Sequence, residues 1–470
     1  LRMRKQGDAD PMHSVPGVTR QLACAMGAVA GSDSTSIAER AAEAALAGLI
    51  EKGQPIADLA VVFVSAAHAQ AIGRIGEAIM RRLAPRAIIA MAGEGVISGR
   101  TELEATPAVS LLAASLPGVA ISPFAAEEMP AGLRGQPEEH YDHHELDLAA
   151  VADAVGMSVG HRGTLIFADP LSGPIDPVLH AISRARVMCS PGGAGPASSH
   201  SSVSQSGDDP AGRRGPIFGA LGSASGKLGG NTLLLNGRMY DRGYVGMSFS
   251  GAVRLDALVS QGCRMIGPNT VVTSAKGQII RRLGGRPALE ALHDLIEPMD
   301  DAKRQQAVQG LMIGRVIDEY KERFGPGDYL IRNVVGVVEK DGSLVVAEPV
   351  PVGTTVRFAV RDADAADADL AMLLDGQSLH GPPEGALLIS CNARGSRLFK
   401  TMHHDAAAVQ RAFAEPPAGE QLAKAGAPAG PAALVPLAGV FAAGEIGPVG
   451  DGVFVHGQSA CVVTIRARPA

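Results

Sequence analysis

The chain has 470 residues, a net charge of −6, and 46% hydrophobic residues of which few are rings: aromatics make up 3% and tryptophan is absent. This is more apolar material than one core holds, so two domains are expected. The charge and the lack of rings exclude a surface that grips phosphates or stacks bases, and nucleic acid drops out as a main partner.

Leu1-Arg2-Met3-Arg4-Lys5 is basic, but Asp8, Asp10 and Arg20 precede the apolar run at 22–30, which makes a poor secretion signal. Residues 1–55 read as a lead-in able to supply a first strand and helix. Asp58–Ser65 is β-rich, 68–83 places Ile72, Ile75 and Ile79 at helical spacing, and Arg86–Ala92 is strand-like again. These predict a parallel β-α-β unit. The uncharged stretch 105–126 is long enough to span a membrane, yet Pro107, Pro117 and Pro123 would break such a helix. Two strands, 108–115 and 119–124, joined at Pro117-Gly118 and pairing as a hairpin, fit better.

His140-Tyr-Asp-His143-His144-Glu145 lacks the i, i+4 spacing that aims two imidazoles at one metal, so a solvated loop is expected. Residues 190–215 are rich in Ser, Gly, Pro and Asp and predict a mobile loop. Strand-like runs at 216–221, 231–236 and 244–249 would complete the first sheet. Between them, Leu221–Leu228 only mimics a phosphate-binding loop: the first glycine and the hydroxyl after Lys227 are missing. The first domain is thus expected over 56–250.

The second, over 251–465, contains β runs, helical segments near 287–296 and 362–374, and an Ala/Gly/Pro-rich insert at 415–433. Asp362, Asp364, Asp367 and Asp369 lack the glycine and terminal Glu of a calcium loop and read as a capped helix start. No internal repeat of fixed period is visible. The expected class is α/β to α+β: two mixed-sheet domains with helices packed on the sheets. Cys24, Cys189, Cys263, Cys391 and Cys461 stand far apart, which suits a reducing, cytoplasmic setting without disulfides or a zinc ribbon.

The run 58–65, Gly93-Glu94-Gly95-Val96-Ile97 and Glu102 to Leu112 resemble the FIST N-terminal domain. Gly285-Arg286-Pro287-Ala288-Leu289, Ser390–Phe399 followed by His404-Asp405, and Pro436–Pro448 resemble the FIST C-terminal domain more specifically. The resemblance implies a bacterial-type sensory module that binds small molecules such as amino acids and signals through another protein. Residues 1–55 lack the helical pattern of the F-box to which eukaryotic relatives are fused.

Two late loops are the candidate site, each following an apolar strand. In the first, Ser390, Cys391, Asn392, Arg394, Gly395 and Arg397 offer short polar groups and a forked cation for a carboxylate. In the second, Gly444, Glu445 and Gly447 offer close backbone approach and an acceptor for an ammonium. Together they would suit a zwitterion. Arg394 and Glu445 can equally pair with each other and pin the two loops. Cys391 with His404 and Asp405 raises the alternative of a thiol enzyme, and Cys391 beside Arg394 that of a sensitive thiol; an interaction scaffold without a ligand is the third reading. No catalytic residue, metal or cofactor is expected, and neither a nucleic-acid nor a membrane partner; the downstream protein is unknown.

Overall fold

The computed structural model describes residues 20–134, 147–189, 214–414 and 434–468. The histidine loop, most of the 190–215 stretch and the 415–433 insert lie outside these residues.

Local chemistry explains the first elements. Asp33 accepts from the amides of Thr35 and Ser36 and starts the helix Ser34–Glu51. Ile72–Leu83 buries Ile72, Ile75 and Ile79 along one stripe and stops at Ala84, whose φ of 46° is left-handed. In the strand Leu59–Ser65, Ala60, Val62 and Val64 face these helices, while Leu59, Val61 and Phe63 face the opposite core.

The chain then repeats one topology three times. In the first unit the strands Ala23–Ala30, Leu59–Ser65, Ala87–Gly93 and Ala108–Ser115 lie side by side in the order first, last, second, third. The second and third strands are parallel, the other pairs antiparallel, and a helix follows each of the first two strands. The second unit does the same with Val119–Ala125, His161–Ala168, Ile217–Leu221 and Tyr244–Gly251, its helices being Leu148–Ala154 and Asp176–Met188. The third uses Val253–Gln261, Gly385–Cys391, Leu437–Ala442 and Ser459–Ala467 with helices Ala363–Ser378 and His404–Phe413. The three sheets turn one face to a common core that holds Val61 and Phe63, Phe167 and Met247, Ile389 and Val463, and carry their helices outside.

After its third strand each unit sends a hairpin to another unit's sheet. Val96–Ser98 with Thr101–Leu103 extends the third sheet, Leu233–Leu235 with Arg238–Tyr240 the first, and Gly444–Val449 with Gly452–His456 the second. The exchange is cyclic. Between the first strand and first helix of the third unit, residues 263–346 and Thr355–Arg361 form a separate sheet. Its strands Cys263–Lys276, Thr355–Arg361, Leu311–Val316, Tyr329–Val338, Ser343–Val346 and Ile279–Leu283 pair in turn, and the last returns to the first. This six-stranded ring encloses Ile266, Val272, Ile280 and Val356.

The parallel β-α-β unit, the mixed strand directions, the helix at 288–296 and Asp362 as a helix cap, accepting from the amide of Ala365, all match the sequence reading. Two expectations are corrected. Ala108–Ser115 and Val119–Ala125 do not pair: the first is sandwiched between two strands of its own sheet, and the chain crosses at Pro117-Gly118 to an edge of the next, where Pro123 is tolerated. Of the three later runs only Leu233–Leu235 joins the first sheet; the other two belong to the second. The chain repeats a topology but at no common period, since the units' loops and one inserted ring differ in length, in keeping with the lack of a fixed-period repeat in the sequence.

Candidate functional site

The threefold topology creates three equivalent seams, each between the link from a second strand to its helix and the end of the hairpin arriving from another unit. In the first unit the seam is filled: Thr232 donates to the carbonyl of Ala69 at 2.7 Å, Met239 packs against Gly73, and His68 is tied to Ser34 and the carbonyl of Gly31.

The seam of the third unit is filled by the residues singled out in the sequence. Arg394 is wholly buried and forms a two-pronged pair with Asp405, Nε to Oδ2 at 2.8 Å and Nη2 to Oδ1 at 2.9 Å. Burial alone would raise the Asp405 pKa, but the guanidinium overrides it and holds the carboxyl well below its usual range. Ser390 donates to the same carboxylate at 2.9 Å. Arg394 therefore pairs with Asp405, not with Glu445 as the pinning alternative had it, and Asp405 lies inside the first turn of its helix, whose cap position is His403.

Glu445 is also fully buried and accepts from the hydroxyl and amide of Ser459 at 2.6 and 3.3 Å. Desolvation pushes its pKa up to about 8, and pushes the Cys391 thiol beside it to about 12. Cys391 Sγ accepts from the amide of Gln458 at 3.2 Å. Arg394 Nη1, Glu445 Oε1 and Gln458 Oε1 have no hydrogen-bond partner. His404 stacks on Phe399 and spends its ring nitrogens on Asp405 and Asp367 at 3.0 and 2.9 Å, so it does not pair with the Cys391 thiol.

The rest of the first loop meets the hairpin of the first unit. Arg397 pairs with Glu94, Ser396 donates to Glu104, Asn392 carries a carbonyl that accepts from Arg397, and Gly395 turns at φ +56° with Glu104 Oε1 only 2.6 Å from where a Cβ would stand. Glu102 accepts from the amide of Ala406, and burial raises its pKa to about 7. In the second loop Gly444 pairs opposite Leu221, and a Cβ on Gly447 would stand 2.3 Å from Val259.

The seam of the second unit is hollow. Its cavity, about 430 Å³, is bounded by the link Asp169, Pro170 and Gly173–Asp176, by Leu221 and Ala443, by the hairpin end Val455–Gly457, and by the ring's Ile331–Asn333 and Ala347–Pro349. Arg332 pairs with Glu348, which also takes Arg315 at 3.2 Å. Burial holds His456 neutral, its pKa lowered to about 4. The turn that closes the cavity at His456 and Gly457 continues into Gln458 and Ser459, the partners of Cys391 and Glu445. Gln458 stands at φ 63°, a left-handed conformation uncommon outside glycine. Sequence reasoning missed Asp169, Asp176, Arg332, Glu348 and His456, which are brought together from three distant segments and carry no local motif.

Among the described residues no helix is long and apolar enough to cross a membrane, and no cluster of His, Cys, Asp or Glu is arranged to hold a metal. The chain matches the FIST N domain over residues 58–286 and the FIST C domain over residues 288–448. It is 32% identical over 434 residues to an uncharacterized protein of Mycobacterium tuberculosis (strain H37Rv), covering 91% of this chain and 96% of the relative. It is 30% identical over 405 residues to an uncharacterized protein of Mycobacterium bovis, covering 86% and 89%. Matches to both domains in order, with full-length relatives at this identity, mean that the chain belongs to the FIST family, which is associated with sensory signal transduction and small-ligand binding.

Proposed function

We propose that this protein is a non-catalytic sensor that binds a small polar ligand, of the size and character of an amino acid, in the hollow seam of the second unit. One observation carries the reading: of three topologically equivalent seams, two are packed with side chains and one encloses about 430 Å³ lined by both polar and apolar groups. That volume lies within the range of small-molecule sites. On this reading Ser390, Cys391, Asn392, Arg394, Gly395, Arg397, Gly444, Glu445 and Gly447 are not the first contacts. All but half-buried Asn392 and exposed Arg397 are buried, and they form a relay behind the turn 456–459. A ligand that presses on Gly457 would shift the balance between two arrangements of that turn and so alter a surface read by another protein. The filled Arg394–Asp405 pair favours this role over direct recognition of a carboxylate.

The test is a thermal-shift screen against free amino acids and other small polar compounds, run in parallel on Gly457→Leu. A Cβ at Gly457, on the cavity wall, has no atom within 4 Å, so a leucine is accommodated there without a backbone clash and is expected to take up ligand space. A ligand at a hundredfold excess over its Kd adds about 2.7 kcal/mol of stability. The expected result is a shift in the parent that the variant loses; a shift that survives Gly457→Leu, or none with any compound, overturns the assignment and favours a scaffold.

A further inference from the structure

The charges on the cavity wall go further than its volume. We infer that the ligand carries net positive charge, as a basic amino acid or an organic diamine does, and that Asp176 is its principal anchor. The inference rests on the seam being the ligand site.

Four formally charged side chains line the cavity: Asp169, Asp176, Glu348 and Arg332. Glu348 pairs with Arg332 on the wall and with Arg315, which does not line the cavity, so two cations stand against three carboxylates. Asp169 is buried and held by Asn231 Nδ2 at 3.0 Å and by the Ser172 hydroxyl, neutral donors that leave its charge in place. Asp176 stays exposed where it borders the cavity, and among the described residues neither it nor Asp169 has a salt-bridge partner. Asp176 sits at the start of its own helix, equivalent to about half a positive charge, and in the fields of Arg332 and His180 without pairing with either. Against the three carboxylates of the wall, two arginines and this half charge fall short, so the balance stays negative.

Hydrogen-bonding capacity points the same way. Pro170, Pro174 and Pro349 on the lining have no N–H to offer, and no lysine lines the cavity. An ammonium or guanidinium supplies several donors and the missing charge, while Ile175, Leu221, Ile331 and Val455 offer apolar surface to a methylene chain.

The experiment is titration calorimetry with lysine, norleucine, 1,5-diaminopentane and glutamate. Lysine and norleucine share a backbone and differ chiefly in the terminal ammonium. A charge-assisted contact makes lysine and the diamine bind about tenfold or more tighter than norleucine. Asp176→Asn removes that advantage, Asp176→Glu keeps most of it, and added salt weakens the two cations more than norleucine. Norleucine or glutamate binding as tightly as lysine, with all binding lost in Gly457→Leu, overturns the charge assignment and leaves the cavity as a ligand site. No binding by any of the four also overturns it, and the broader screen then decides whether the seam binds anything at all.

Discussion

Arg394 and Asp405 show how a charged pair is kept inside a protein. Both are essentially inaccessible, and the pairing is two-pronged with Ser390 as an extra donor. Removing one partner leaves the other buried and uncompensated, so Asp405→Ala should cost about 3–5 kcal/mol in chemical denaturation, far more than an exposed pair such as Arg286–Glu290. Glu102 works in the opposite direction. Its carboxyl is buried and its folded pKa lies near 7 against 4.5 when free, so the folded state holds a proton that the unfolded state releases between those values. Stability from this group is greatest below pH 4.5, falls by up to roughly 1.4 kcal/mol per pH unit across the window, and levels off above 7. Glu445 acts with the same sign up to about 8. Glu102→Gln should therefore flatten the decline between pH 5 and 7, measured as urea midpoints across that range. The sequence marked Arg394, Glu445 and, in another role, Asp405, but not how they pair, because Asp405 lies eleven residues beyond Arg394 and Ser459 fourteen beyond Glu445. Such spacings bring residues together only once the fold exists.

At the scale of elements, what was legible followed local periodicity and what was not followed pairing. Alternation along 59–65 and the helical stripe of Ile72, Ile75 and Ile79 sufficed for the β-α-β unit. Nothing in 108–115 or 119–124 says that the two strands part company at Gly118, since both are apolar runs able to pair with any partner. The close approach of helix to strand in the first unit is equally silent in sequence. Gly27 lies so near the helix Ser34–Glu51 that a Cβ would stand 1.8 Å from the carbonyl oxygen of Ala41. Gly27→Ala forces the helix outward and should cost about 1–3 kcal/mol, read as a lowered melting temperature, while Gly53→Ala touches nothing and loses only what its φ of 70° imposes.

For the whole molecule, the cyclic exchange of hairpins means that no unit is complete without strands from another. The two family matches meet at residues 286–288, yet Leu437–Ala442 pairs with Val96–Ser98 across that boundary and Gly444–Ile446 with Gly219–Leu221. We therefore expect residues 20–286 expressed alone to lack a cooperative transition, whereas the full chain melts its three sheets together in calorimetry. An independently folding first half would show the crossing strands to be dispensable. The hollow seam shares this property, since its walls come from the second unit, from the third unit's hairpin and from the inserted ring.

The place of the final strand carries a consequence for how the protein is made. Ser459–Ala467 sits between Val253–Gln261 and Gly385–Cys391, so an interior member of the sheet is synthesised after both of its neighbours. Until it emerges, the edges of those two strands stay open and the apolar groups that Cys461, Val463 and Ile465 will cover remain exposed. At about 5–20 residues per second, the more than 200 residues between Val253 and the final strand keep that gap open for roughly ten seconds or longer. The nascent chain is thus a natural client for chaperones, and a stop codon placed before Ser459 should yield an aggregate in place of a shortened but folded protein.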